Sequence, residues 1–388
     1  MRLFFAQAQL GLLTSFLHIF AVLALGLSWM LVLWQLGPRA RDTEQFRFWL
    51  RVFALTAYCA LGLGLMTMIH TGLVLPLAVK RMGNVLGPLL LATVLTVFLI
   101  KSTAFGVVLY SRHRVTSWVF GLCLLMTAIG LTAVVCGMAI IESWMRNPAG
   151  AIFLDGQFRV HDWLEVIANP QLPLQASYLG LAGVLMLSSA LISSWALQAR
   201  LSQASSEPSG LVRAAAWSSL FATFAVIPLG LQIVQQSGAS ASVLVTVLAG
   251  QFMQTPYEVA ITYTARMFLF VWSLHVLVVL VALMQMYLGR SQSQPGFANR
   301  LVLIGAASAP MLCLILWWLI FLGKTTDMVV GQLPVADLLS EVQTQYLFLG
   351  LLICVALAGL FLAGWIRLTY QALADGVVTV HRPGVVLS

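Results

Sequence analysis

The chain has 388 residues, of which 61% are hydrophobic and 8% charged, with a mean hydropathy of +0.97. A soluble globule is nearer half apolar with about a quarter of its residues charged, so that class is excluded and a polytopic membrane protein remains. The formal net charge of +8 does not signal a nucleic-acid partner, because the basic residues stand mostly in short breaks between apolar runs, where they orient a chain in lipid.

A bilayer crossing takes about 20 mostly apolar residues. Nine runs meet that length, over 9–36, 50–78, 86–110, 116–141, 174–199, 211–234, 258–288, 300–322 and 345–370. The expected architecture is an all-α membrane protein of nine transmembrane helices, a single polytopic domain over 1–388. An odd number of crossings puts the termini on opposite sides. Arg39, Arg41, Arg47, Arg51, Arg112, Arg114, Arg200, Arg213, Arg290, Arg300, Arg367 and Arg382 fall on one face, and Arg2, Lys80, Arg81, Arg146, Arg159 and Lys324 on the other. The richer face is the cytoplasmic one, which gives the N-terminus outside and the C-terminus cytoplasmic. The first run is too long for the apolar core of a cleaved signal and has only Arg2 ahead of it, so it is read as a mature helix.

Taken in chain order, the first run carries His18, the second His70 and the third Lys101. After the fourth, the stretch from Glu142 to Pro173 contains Trp144, Asn147, Pro148, Asp155, Gly156, His161, Asp162, Trp163, Glu165, Asn169 and Pro170, enough for an ordered cap on the outer face. Ser202 to Gly210 reads as a polar cytoplasmic linker. The stretch from Gln235 to Pro256 is uncharged and rich in Ser, Gly and Gln. The seventh run carries Arg266, Met267 and His275, and the break from Lys324 to Gln345 carries Asp327, Asp337 and Glu341. Cys59, Cys123, Cys136, Cys313 and Cys354 lie inside apolar runs without a C-x-x-C or C-x-x-C-H pattern. Covalent haem attachment is thereby excluded, and the thiols read as small buried hydrophobes.

Depth singles out a candidate site. With alternate runs crossing in opposite directions, His18, His70, Arg266 and Met267 all lie about 12–14 Å below the outer boundary at roughly 1.5 Å per residue. Polar groups inside a bilayer are costly and normally face a bundle interior or a site. Histidine and methionine are the usual axial ligands of haem iron, and an arginine beside them suits a propionate. His18, His70, Arg266 and Met267 are therefore candidate ligands of a haem b, with the two histidines on the iron. The bland alternatives are hydrogen bonds between helices for the histidines, apolar filler for Met267, and an acid of another subunit or Glu258 as the partner of Arg266. Lys101 and His275 form a second, deeper set serving a proton path or, preferably, interhelix pairing, since no intramembrane acid of this chain matches them.

Several of these residues carry a resemblance. Leu10, Leu13, Thr14 and His18, the series Gly83, Gly87, Pro88, Phe98, Ser102, Thr103, Phe105 and Gly106, the motif Trp144-Met145-x-Asn147-Pro148 with Asn169-Pro170 after it, and the pair Tyr263 and Arg266 resemble the large subunit (subunit I) of cytochrome bd-type quinol oxidases. The resemblance covers most of the chain. It implies that family's helical bundle, His18 as a haem ligand, haem b as cofactor, quinol as electron donor to the complex, and a multispan partner, either a subunit I-like paralogue or a subunit II-like chain. It also implies residence in a bacterial or archaeal cytoplasmic membrane.

The departures matter as much. Where the family's third helix has two carboxylates, this chain has Thr93 and Lys101. Tyr178 stands at the fifth-helix ligand histidine, and Phe268 at the methionine after the arginine, although Met267 is adjacent. The E-x-G-R-Q-P-W signature after the paired tryptophans is replaced by Leu322, Gly323, Lys324 and onward, and the quinol-binding loop shrinks to the bland stretch before Pro256. Oxygen reduction needs a reactive haem and acids that deliver protons. The expectation is therefore a degenerate accessory or electron-transfer subunit of a bd-like respiratory complex with one haem b or none. A catalytic quinol oxidase with altered ligands and a haem-free transporter or channel are the alternatives.

Overall fold

The computed structural model describes residues 2–37, 43–111, 114–201, 209–236, 256–288, 300–302, 305, 308–322, 327–339 and 343–380. Eight helices among them are long and apolar enough to cross a membrane. They lie within α1 (Arg2–Gln35), α2 (Glu44–Val74), the α3 region, α5 (Ser117–Arg146), α7 (Leu172–Leu201), α8 (Gly210–Gln236), α9 (Pro256–Leu288) and α11 (Thr344–Val380). The α3 region is α3 (Pro76–Ile100), a wide π-turn (Lys101–Phe105) and α4 (Gly106–Tyr110) in succession. The remaining predicted crossing, 300–322, is represented by helical residues at 300–302 and 305 and by α10 (Ser308–Leu322), a shorter apolar helix.

Helix ends depart from the hydropathy runs where polar residues continue a helix. The break expected over 79–85 is helical: α2 stops at Val74, Leu75 is the one non-helical residue, and Pro76 restarts the chain at a first-turn position where its missing N–H costs nothing. Similarly, α5 runs five residues beyond the predicted end at 141, to Arg146. Thr43 and Thr116 cap α2 and α5, their hydroxyls accepting from the amides of Phe46 and Val119.

The central element is α1. Of its most apolar stretch 61% is buried, and it packs on α2, α5, α7, α10 and α11. Its C-terminal half contributes Leu23, Ala24, Leu27 and Leu31 to a core shared with Phe46 and Phe53 of α2, Phe120 and Leu124 of α5, and Leu185 of α7.

The ordered cap expected after the fourth run is present. Strands β1 (Ala151–Leu154) and β2 (Gln157–Val160) form an antiparallel hairpin, and the short α6 (Trp163–Ile167) follows it. The hairpin turns at Asp155-Gly156, both with positive φ (50° and 78°), as a tight two-residue turn requires. A second small hairpin, β3 (Asp327–Val329) with β4 (Leu333–Pro334), is held to the end of α5, where the Val330 amide donates to the Met145 carbonyl at 3.0 Å. Trp144 and Phe158, edge to face at 5.1 Å, fill the space beneath. Asn169 donates to the Asn147 carbonyl at 2.7 Å, which ties the two Asn-Pro segments together. The linker from Ser202, the stretch before Pro256, Lys324 and Glu341 lie outside the described residues, as does the side chain of Glu258.

Candidate functional site

A buried cluster of polar and aromatic side chains is built from four helices. His18 of α1, Glu142 and Arg146 of α5, Gln175 and Tyr178 of α7, and Trp317 of α10 are each at most 8% exposed. Glu142 and Arg146 are four residues apart, so both project from one face of the last turn of α5. Their opposite charges interact, and Arg146 also acts on Tyr178.

The hydrogens at His18 can be assigned. Its Nδ1 lies 2.5 Å from the Thr14 carbonyl, which can only accept, so Nδ1 carries a hydrogen. Its Nε2 lies 2.8 Å from Glu142 Oε1. A single proton bridges that contact, whether it is written as imidazolium with carboxylate or as imidazole with carboxylic acid, and in both forms Nε2 has no lone pair left for a metal. The second Glu142 oxygen accepts from the Gln175 side-chain amide. The imidazole is stacked on Trp317 with ring centres 4.0 Å apart, and Trp317 also stacks with Tyr178 at 5.8 Å. Tyr178, where the resemblance implies a fifth-helix ligand histidine, thus sits in the same aromatic stack as His18.

These residues, as arranged, do not fit an axial haem site. The Nδ1–H to backbone contact is what an iron-bound histidine commonly makes, but the coordinating nitrogen faces a carboxylate and an indole covers the ring.

The other predicted site residues lie elsewhere. His70, near the end of α2, is half-buried beside Cys354 of α11, with its ring nitrogens 3.7 and 3.9 Å from the sulfur. Arg266 and Met267 are exposed on α9, whose buried stripe is Ala265, Phe268, Val271, His275 and Val278. The four groups taken to share one plane therefore have different surroundings: equal depth fixes height, whereas facing turns by about 100° per residue. His275 connects three helices, with Nδ1 2.7 Å from Ser308 Oγ on α10 and Nε2 3.2 Å from Ser219 Oγ on α8. Lys101 is exposed at the start of the π-turn, its ammonium 6.0 Å from the Tyr58 ring centre, and it shares no partner with His275.

Sequence reasoning missed Glu142. Hydropathy falls at Glu142-Ser143, which placed the residue in the outer cap and left His18 with no acid to meet. The available signal was the i, i+4 pair with Arg146 followed by Trp144 and Met145, a continuation of the helix.

Comparison with known proteins agrees with this architecture. Residues 5–241 match the family model described as cytochrome bd terminal oxidase subunit I. The cytochrome bd ubiquinol oxidase subunit 1 of Bacillus subtilis (strain 168) is 23% identical over 175 residues, which is 44% of this chain and 37% of that relative. The alignment thus spans little more than a third of the relative's length. The bd oxidase structure from Geobacillus thermodenitrificans superposes with a TM-score of 0.75 at 15% identity, covering 96% of this chain and 98% of that one, a likeness of fold. With the family model matching well over half of the chain, and with the bundle and its cap arranged as described, the chain belongs to the cytochrome bd terminal oxidase subunit I family.

Proposed function

We propose that this chain is an accessory or electron-transfer subunit of a cytochrome bd-like respiratory complex in a bacterial or archaeal cytoplasmic membrane, holding at most one haem b. The observation that carries the reading is the engagement of both ring nitrogens of His18, by Thr14 and Glu142, with Trp317 stacked on the ring. A family member that keeps the first-helix histidine but bonds it to protein has exchanged a cofactor contact for a structural one. Tyr178 and Lys101 at positions where the resemblance implies a ligand and an acid point the same way, because oxygen chemistry needs both. Of the two histidines read as iron ligands, His70 is left for a haem, and it has the Cys354 sulfur as its neighbour.

The respiratory setting and the quinol donor come from the ubiquinol oxidase relative. A multispan partner, subunit I-like or subunit II-like, would supply the catalytic haems. The test is the absorption spectrum of the purified chain freed of partner haems. One b-type haem or no Soret band is expected; several haems together with quinol-driven oxygen uptake would establish the catalytic alternative instead.

A further inference from the structure

Lys101 stands out among the exposed residues of the spanning helices. It lies nine residues before Tyr110, so its backbone is about 13 Å inside that end of the helix. Side chains on a helix lean toward its N-terminus, which here carries the ammonium away from the nearer water and over the Tyr58 ring. Snorkelling is therefore disfavoured. Among the described residues no carboxylate forms an ion pair with it, and the groups around it are apolar or aromatic apart from Thr127, whose hydroxyl donates to the Cys123 carbonyl of its own helix. A cavity of about 60 Å³ opens beside it, lined by Tyr58, Leu61, Val97, Phe105 and Leu131 with Lys101 itself.

The helix is also the least covered of the bundle. Only 6% of the most apolar stretch of Pro76–Tyr110 is buried, against 61% for α1. Leu91, Leu95, Phe98 and Leu99 are exposed on it. Ser102 and Thr103, next to Lys101, donate their hydroxyls to the Leu99 carbonyl and so are satisfied. The lysine is the group that remains to be matched. The π-turn that begins at Lys101 is a local widening of the kind found at functional positions.

We propose that this face receives a transmembrane helix of a partner subunit that carries an aspartate or glutamate at the depth of Lys101, and that the two form an intramembrane ion pair. The partner chemistry follows from charge. An ammonium in hydrocarbon is held by an anion, and a lipid phosphate lies at the surface, farther off than the lysine stem reaches. The inference rests on the proposed role as a subunit of a complex, but its test reads contact rather than haem, so the two can fail separately.

The experiment uses the tagged full chain in native membranes treated with a hydrophobic carbodiimide. The reagent activates a buried carboxylate; an adjacent Lys101 amine then closes an amide to it with release of the urea. Mass spectrometry is expected to find Lys101 joined to an Asp or Glu within a spanning helix of another polypeptide. Recovery of that polypeptide with the chain should fall at least about tenfold in Lys101→Leu, as for a buried charge left unpaired, and persist in Lys101→Arg, which keeps the charge. The cross-link is read on the unaltered chain and so decides even where a variant folds poorly. Joining to a lipid carboxylate, no cross-link at all, or full recovery in a correctly folded Lys101→Leu chain would overturn the proposal.

Discussion

His18 Nε2 and Glu142 Oε1 meet at 2.8 Å between α1 and α5, in a region where both residues are less than 8% exposed. The contact does not stand alone, because the same carboxylate accepts from Gln175 and faces the Arg146 charge. Buried charges are tolerated where they are paired and hydrogen-bonded, and removing one member strands the rest. Glu142→Ala is therefore expected to lower the stability of the detergent-solubilised chain by about 3 kcal/mol or more. Glu142→Gln, which keeps hydrogen-bonding capacity but loses the charge facing Arg146, should cost less. Thermal unfolding of the two variants beside wild type gives the ranking. An alanine variant as stable as wild type would mean that the cluster does not hold α1 to α5.

The same geometry separates a structural His18 from a ligand. His18→Ala removes the bond to Glu142 and the stack on Trp317, and about 2–4 kcal/mol of stability should go with them. Any b-type α-band of the isolated chain should keep its position and intensity. Loss of the band in a folded His18→Ala chain would return His18 to the iron.

How much of this was legible beforehand differs by level. The crossings follow from hydropathy, since a run such as Leu17–Leu33 has no soluble alternative. A histidine inside such a run stands out for the same reason, as His18 does. Azimuth was readable on α9, where Ala265, Phe268, Val271 and His275 make a buried stripe that leaves Arg266 and Met267 outside it. On α1 it was not, because a central helix is apolar all round and its pattern does not say which neighbour a polar group meets. Glu142 was hidden for a third reason: a helix that continues into an ordered cap loses its apolar signature before it loses its hydrogen bonds.

His275 offers a test of interhelix pairing. The Ser308 hydroxyl donates to the Gly305 carbonyl, so its oxygen accepts from Nδ1–H of His275, and Nε2 then accepts from the Ser219 hydroxyl. One neutral imidazole thereby links α8, α9 and α10. His275→Ala leaves two buried hydroxyls short of a partner and opens a cavity, for an expected loss of about 2–3 kcal/mol. Ser308→Ala should cost about 1 kcal/mol. Neither should alter recovery of a partner subunit, and a His275 variant that dissociates the complex at unchanged stability would place this residue at an interface.

The cap provides a paired comparison at two glycines with left-handed backbone. Gly156 has φ of 78° at the tip of the hairpin, and a Cβ there would meet nothing within 4 Å. Gly156→Ala should therefore cost only the conformational penalty, about 1 kcal/mol. Gly150 has φ of 74°, but its Cβ would lie 2.3 Å from the Asp162 carbonyl oxygen and 2.9 Å from the Val166 amide nitrogen. Neither atom can retreat easily. Asp162 is fixed as the N-cap of α6 by bonds from the Leu164 and Glu165 amides, and the Gly150 carbonyl itself accepts from the amides of His161 and Asp162. Gly150→Ala must push α6 off the hairpin, so its cost should exceed that of Gly156→Ala by about 2 kcal/mol or more. The damage should also be local, because the cap packs into a cluster with Trp144, Met82 and Val85 that is separate from the core centred on α1, α2, α5 and α7. Limited proteolysis should cut the Gly150 variant between β1 and α6 while the helices stay protected, and equal protection of the two variants would show that the close approach at Gly150 does not hold the cap in place.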